Sequence, residues 1–274
     1  MIFKDKLGKV QISKMDDSVL VSSREKKDSD FGVIFCNIIT TSINPDQGEV
    51  LRINLKPCYI GKEDGQLSSV RKPVSFFDVK DSNLSEEEKS FVDFDLEEKL
   101  GSSIDWKLVK SLFEKADLVV AHNAGFVRPW IDKYIGNNEV TWGCTLEHVN
   151  WTSKGFPSKN LESLSVFSGY YYNFSKSVES LDAAVNCLYV NSSFGELTEK
   201  SFSPDLQVFA ANAPFESKDL LKDRKYRWNP DFSCWWIPVE DQQKANLEKE
   251  WIEENIPEAE PQIFEVEPKF RFIR

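Results

Sequence analysis

Long apolar runs are missing from this chain of 274 residues. No stretch approaches the about 18 apolar residues that a bilayer-spanning helix requires. The N-terminal segment MIFKDKLGKVQISKMDD also lacks the apolar region of a secretion signal. The expectation is a cytoplasmic protein with no membrane partner. Cysteine is sparse, odd in number at five, and never spaced Cys-x-x-Cys. Cys36, Cys58, Cys144, Cys187 and Cys234 therefore read as reduced, mostly buried thiols, which excludes a disulfide framework and a zinc finger. Histidine is nearly absent, with His122 and His148 the two examples. Positive charge is in deficit, the net charge being −11. A field of that sign opposes capture of a polyanion unless basic residues are locally concentrated. No internal repeat is visible.

What is present is core material: 41% hydrophobic residues, with 20 Phe and 8 Trp. Residues 1–27 are polar and charged and read as an N-terminal arm. Val33 to Ile39 is apolar and β-branched, long enough for one buried strand. The turn Asn44-Pro45-Asp46-Gln47-Gly48 separates it from Glu49 to Leu55, which alternates like a half-buried strand. Ser69 to Phe77 completes an antiparallel meander. The acidic stretch Ser82 to Gly101 reads as loop and short helix. Asp105 starts a helix, Leu118 to Ala121 is a short parallel strand, and Gly125 onward begins a second helix. Trp142-Gly-Cys-Thr-Leu is a last short strand, and Leu161 to Phe167 and Leu181 to Val190 are helical in period. A strand meander followed by β-α alternation is the order of an α/β, ribonuclease H-like sheet.

Four stretches carry a family resemblance: GVIFCNIITTSINP (32–45), LVVAHNAGFVRPW (118–130), WGCTLEHVNWTSKGFPSKNLESL (142–164), and FESKDLLKDRKYRW with CWW (215–228, 234–236). They resemble the DnaQ-like, DEDDh-type 3′-5′ exonucleases, of the alphaproteobacterial type with a small C-terminal domain, over roughly residues 31–254. The resemblance implies a ribonuclease H-like mixed sheet flanked by helices at 28–195. It further implies a small α+β C-terminal domain at 205–256, with 257–274 left as a tail. In that family two divalent cations, about 4 Å apart, clamp the scissile phosphate and activate water. Only carboxylates supply enough negative charge to hold such a pair. The first motif of the family is Asp-x-Glu-Thr-Thr-Gly, the second His-Asn-x-x-Phe-Asp, and the last His-x-Ala-x-x-Asp.

Here the positions of the first three acids hold Asn37, Ile39 and Val127. The final acid matches Asp182, and the general-base histidine matches Ser177. The tyrosine of the sister subclass would stand at Val178. The implication is a pseudo-exonuclease: the fold kept, no catalytic residue left, and no metal cofactor. Mg²⁺ or Mn²⁺ would enter only if the protein were a divergent active nuclease, with acids such as Asp30, Asp46 or Asp132 converging on Asp182. Asp182 otherwise reads as a solvent-facing or helix-capping residue. Two readings of Thr40 and Thr41 stand side by side, contact with a nucleic-acid end or simple termination of the strand. His122 and Asn123 belong to the same candidate surface or do structural work at a strand end.

The Ser-rich segment around Phe194 to Pro204 reads as a break before the C-terminal domain. There Lys218, Lys222, Arg224, Lys225 and Arg227 fall within ten residues, interleaved with Tyr226 and Trp228 and close to Trp235 and Trp236. Cations beside aromatics suit single-stranded nucleic acid, although a domain this small also needs aromatics for its core. The expected partners are single-stranded or 3′-ended DNA, or a replication or repair protein. A third reading is an acidic scaffold whose Glu86 to Glu98 segment meets a basic partner.

Overall fold

The computed structural model describes residues 12–15, 26–80, 89, 92–136, 139–230, 232–239 and 241–273. Most of the arm expected at 1–27 and part of the Glu86 to Glu98 segment lie outside the described residues. The chain divides into two compact units, Met1–Phe202 with Phe272–Arg274, and Ser203–Arg271.

In the first unit β1 (Ser13–Lys14) pairs in parallel with β8 (Tyr170–Tyr171). The main sheet runs β4 (Leu67–Val70), β3 (Val50–Ile60), β2 (Phe31–Thr40), β6 (Leu118–Ala121) and β7 (Trp142–Cys144), with β5 (Val74–Phe77) also paired to β3. Its spine is the antiparallel pair β2 (Phe31–Thr40) and β3 (Val50–Ile60), in register from Phe31↔Ile60 to Thr40↔Val50 with an irregularity at Ile39/Thr40. β6 (Leu118–Ala121) and β7 (Trp142–Cys144) add in parallel. β2 is apolar on both sides because both sides are covered. Val33 and Phe35 enter one core with Leu164, Leu181 and Val185, while Ile34 and Cys36 enter the other with Val109, Phe113 and Trp130. Five helices supply those covers: α1 (Trp106–Glu114), α2 (Ala124–Ile135), α3 (Leu161–Phe167), α4 (Ser177–Val190) and α5 (Phe194–Phe202). Asp105 caps α1 by accepting from Leu108 N at 3.0 Å. All five cysteines are free and buried.

The second unit runs β9 (Asp205–Ala211), α6 (Lys218–Asp223), β10 (Arg227–Asn229), β11 (Cys234–Val239), α7 (Gln242–Asn255) and β12 (Glu260–Val266). This is a β-α-β-β-α-β unit with sheet order β10-β11-β9-β12, antiparallel throughout. Leu221 of α6 and Ala245 and Ile252 of α7 pack with Val208 and Ala210 of β9 in one core.

Four local expectations need correction. The third strand expected at Ser69 to Phe77 is two, β4 (Leu67–Val70) and β5 (Val74–Phe77), pairing different parts of the long β3. Pro73, which has no N–H to give a ladder, marks the gap. The helix expected from Leu181 starts at Ser177. The Ser-rich segment expected as a break is α5, which buries Phe194, Leu197, Thr198 and Ser201 at helical spacing. Its Thr198 hydroxyl donates to the Phe194 carbonyl at 2.9 Å, so the polar side chain is accommodated within the helix. Finally, the tail expected from residue 257 contains β12, in register with β9 from Glu260↔Ala211 to Val266↔Asp205. As an edge strand it tolerates Pro261, which made the segment look broken.

Gly48 has no room for a side chain, because a Cβ there would meet Ser42 Cβ at 2.6 Å and the Trp130 ring at 2.9 Å. Gly48→Ala should cost about 1–3 kcal/mol in a urea melt. An unchanged midpoint would show that the turn yields freely.

Candidate functional site

Asn37 and Ile39 lie on β2, on the side of Val33 and Phe35, which faces α4. Asn37 Nδ2 donates to the Ser177 carbonyl at 2.5 Å and to Ser180 Oγ at 2.6 Å, both on α4. Its Oδ1 accepts from Asn54 Nδ2 at 2.7 Å, directly across the ladder on β3. Asn54 Nδ2 also reaches Ser177 Oγ at 2.9 Å, and Asn54 Oδ1 accepts from Ser75 Oγ at 2.6 Å. Ser75 in turn accepts from Arg52 Nη2 at 3.0 Å. Arg52 pairs with Asp93 at 2.7 Å, and the other Asp93 oxygen accepts from Ser177 N, the first amide of α4. A carboxylate at that amide also complements the helix dipole. Asn37 and Ser177, where the family resemblance would place an acid and the general base, are thus tied into one polar network, with Ile39 buried nearby on the same strand.

Asp182 lies on α4 and pairs with Lys56 of β3. The Lys56 side chain is 5% exposed and that of Asp182 15%. Asp182 is therefore neither solvent-facing nor a helix cap, which corrects the expectation for it. Counted together, Arg52 and Lys56 balance Asp93 and Asp182, two cations against two carboxylates, so the cluster carries no surplus negative charge. Val127 sits on α2 at 5% exposure, within the core on the opposite side of the sheet from Val33 and Phe35.

The spare acids have partners of their own. Asp30 accepts from Ser68 Oγ at 2.8 Å, Asp46 lies in the turn after Asn44, and Asp132 pairs with buried Arg128 at 3.1 Å. Among the described residues no three His, Cys, Asp or Glu side chains gather in a group that could hold a metal ion.

The remaining candidates of this unit surround a turn and a strand end. Thr40 Oγ1 donates to the Ser42 carbonyl at 2.7 Å, and Thr41 Oγ1 accepts from Glu49 N at 3.0 Å. His122 Nδ1 contacts Thr145 Oγ1 at 2.7 Å. Burial pushes the His122 pKa down to about 4, against a smaller opposing effect of the Lys159 backbone. Asn123 is exposed at the N-terminus of α2, and its side chain makes no capping hydrogen bond.

In the second unit the basic cluster is split. Arg224 forms a two-pronged bond to Glu248, at 2.6 and 3.0 Å, and lies 4.0 Å from the centre of the Trp251 ring. Tyr226 is a core residue at 4% exposure. Lys218 covers Phe215, its Nζ 4.2 Å from the ring centre. Lys222, Lys225, Arg227 and Trp228 are exposed.

Reading the sequence by family motif passed over Lys56, Asn54, Arg52 and Asp93, which hold the cluster together. The signal was available in EVLRINLKP. Strand alternation puts Arg52, Asn54 and Lys56 on one face, a polar row where an interior strand should be apolar. Asp93 carried no such signal, being one acid among many in its segment.

Two solved structures illustrate what the chain is similar to. Exonuclease I, in the structure that suggests how processivity is achieved, superposes with a TM-score of 0.51 at 10% identity, over 88% of this chain and 66% of that one. E. coli ExoI, in its zinc-ion-bound form with single-stranded DNA, gives 0.49 at 12% identity, over 82% and 71%. The chain thus spans about two thirds of the exonuclease I chain. No protein-family model matches the sequence, and no curated protein is similar to it. The fold is exonuclease-like: a six-stranded mixed sheet flanked by helices, as in the ribonuclease H-like exonucleases. Among the described residues no helix is long and apolar enough to cross a membrane.

Proposed function

We propose that this protein is a non-hydrolytic relative of the 3′-5′ exonucleases, of DnaQ-like type, that holds single-stranded or 3′-ended nucleic acid. In the cell it would deliver that strand to, or shield it from, replication or repair proteins. The single observation that carries this reading is the Lys56–Asp182 ion pair. A pair of Mg²⁺ or Mn²⁺ ions needs several carboxylate oxygens and a surplus of negative charge. The donor set here does not fit: the one matching acid is held by an ammonium group, Asn37 spends its amide on Ser177, Ser180 and Asn54, and Ile39 and Val127 are apolar. Nucleic acid as the ligand is supported by the fold and by the exposed cations Lys222, Lys225 and Arg227.

Anisotropy of fluorescent single-stranded and 3′-tailed DNA, titrated with the full chain in Mg²⁺ or Mn²⁺ buffer, tests both halves. The expected result is a stable rise that weakens steeply with salt. A rise that decays as label is released would refute the non-hydrolytic reading, and a flat line would refute the nucleic-acid reading.

A further inference from the structure

The two faces of the second unit's sheet differ sharply. The helix-covered face takes Val208, Ala210, Trp235, Ile237 and Ile263 into the core. By strand alternation the other face carries Phe209, Trp236 and Phe264, and no described helix of the core packs there. The pairing registers Arg227↔Trp236, Trp236↔Phe209 and Gln262↔Phe209 align four side chains in one row across all four strands. At about 4.8 Å between strands the row spans roughly 14 Å. It reads cation, indole, phenyl, amide. The Arg227 guanidinium lies 5.8 Å from the Trp236 ring centre, and the Trp236 and Phe209 rings are 6.3 Å apart at 22°. Phe232 and Phe264 stand edge-on to Phe209, at 6.2 and 5.1 Å, and are 72% and 48% exposed. Between them opens a cavity of about 380 Å³, lined also by Gln207 and Gln262. That size falls in the roughly 300–1,000 Å³ range of small-ligand sites.

We propose that this open face is a stacking platform for an unpaired nucleic-acid strand, with bases lying over Phe209 and Trp236 and stacked against the exposed rings of Phe232 and Phe264. It rests on the nucleic-acid reading above and moves the site from the basic cluster, where Arg224 and Tyr226 are already engaged, to the sheet. Every base presents a π-face, so half-exposed aromatics on the two central strands of a four-stranded sheet, flanked by exposed ones, bind unpaired strands and exclude a stacked duplex. Gln207 and Gln262 provide donors and acceptors for base edges. Charge sets the direction of the phosphates. Exposed Lys225 and Arg227 lie on or beside the β10 edge, whereas Glu260 and Glu265 lie on the β12 edge. The backbone of a bound strand therefore tracks β10, and the acidic edge repels it.

The test uses the full chain with fluorescent dT15 and U15 oligonucleotides, and the same strands carrying 2-aminopurine. Because Phe232 and Phe264 are largely solvated, Phe232→Ala/Phe264→Ala should fold, which circular dichroism checks. Stacking on aromatics contributes about five- to 150-fold per base. The double variant should therefore bind at least about tenfold more weakly and lose the 2-aminopurine quenching, and Arg227→Gln should reduce the salt slope by about 1. Wild-type binding that survives intact in the folded double variant would overturn the platform while leaving the nucleic-acid reading in place. No wild-type binding of either oligonucleotide would overturn both. A wild-type dimer in light scattering that the double variant dissociates would assign the face to a second copy of the chain instead.

Discussion

Asp182→Ala is expected to destabilise the protein by about 3–5 kcal/mol, because it leaves the Lys56 ammonium buried at the centre of the first unit without a counter-charge. For a protein of this size that corresponds to a fall in Tm of roughly 10 °C. The direction separates two pictures of the same residue. Acids gathered to bind cations repel one another when no cation is present, so removing one costs little or even stabilises. An acid that neutralises a buried lysine is part of the frame. The pair Lys56→Met/Asp182→Leu removes both charges together and should regain most of the loss, so the two substitutions should be strongly non-additive. A melting temperature unchanged in Asp182→Ala would mean that the ion pair does not hold α4 to β3.

The second large effect is one of pH. His122 is kept neutral by burial, with its pKa lowered from 6.5 to about 4. Between those two values the unfolded chain binds a proton that the folded chain resists, so stability rises with pH across the window. The contribution is present in full above pH 6.5 and is lost as the pH falls toward 4. Its full size is about 3 kcal/mol, from the gap between the two pKa values. Urea melts at pH 7 and pH 4 on the protein and on His122→Gln measure it by difference. The protein should lose about 3 kcal/mol more than the variant over that interval. Equal losses would show that His122 protonates freely in the folded state.

How much of this was legible in the sequence depends on the element. β2 and β6 announce themselves as apolar β-branched runs, and Asp105 is a local helix signal that needs no tertiary context. The strand and helix that carry Asn37, Ile39 and Val127 were legible for the same reason, since the apolar runs around them are local patterns. The charged partners around Asn37 were not. Lys56 and Asp182 are far apart in sequence, and nothing near either says that they meet. Local composition also misled. Serines argued for a break at α5, where the buried hydroxyl of Thr198 bonds back to the helix, and three prolines with several glutamates argued for a tail at β12, where an edge strand accepts Pro261. In the second unit the density of Lys and Arg drew attention to α6 and its following turn. Pairing register, which no local pattern encodes, is what brings Arg227, Trp236, Phe209 and Gln262 into one row.

If the non-hydrolytic reading proposed above holds, the Lys56 ammonium neutralises Asp182 in place of a metal ion. Titration of Mn²⁺ into the protein and into Asp182→Ala, followed by the electron paramagnetic resonance of free Mn²⁺, tests it most directly. Identical curves are expected, with only the weak, salt-sensitive uptake of an acidic chain. Tight uptake of one or two ions per chain that vanishes in Asp182→Ala would contradict it.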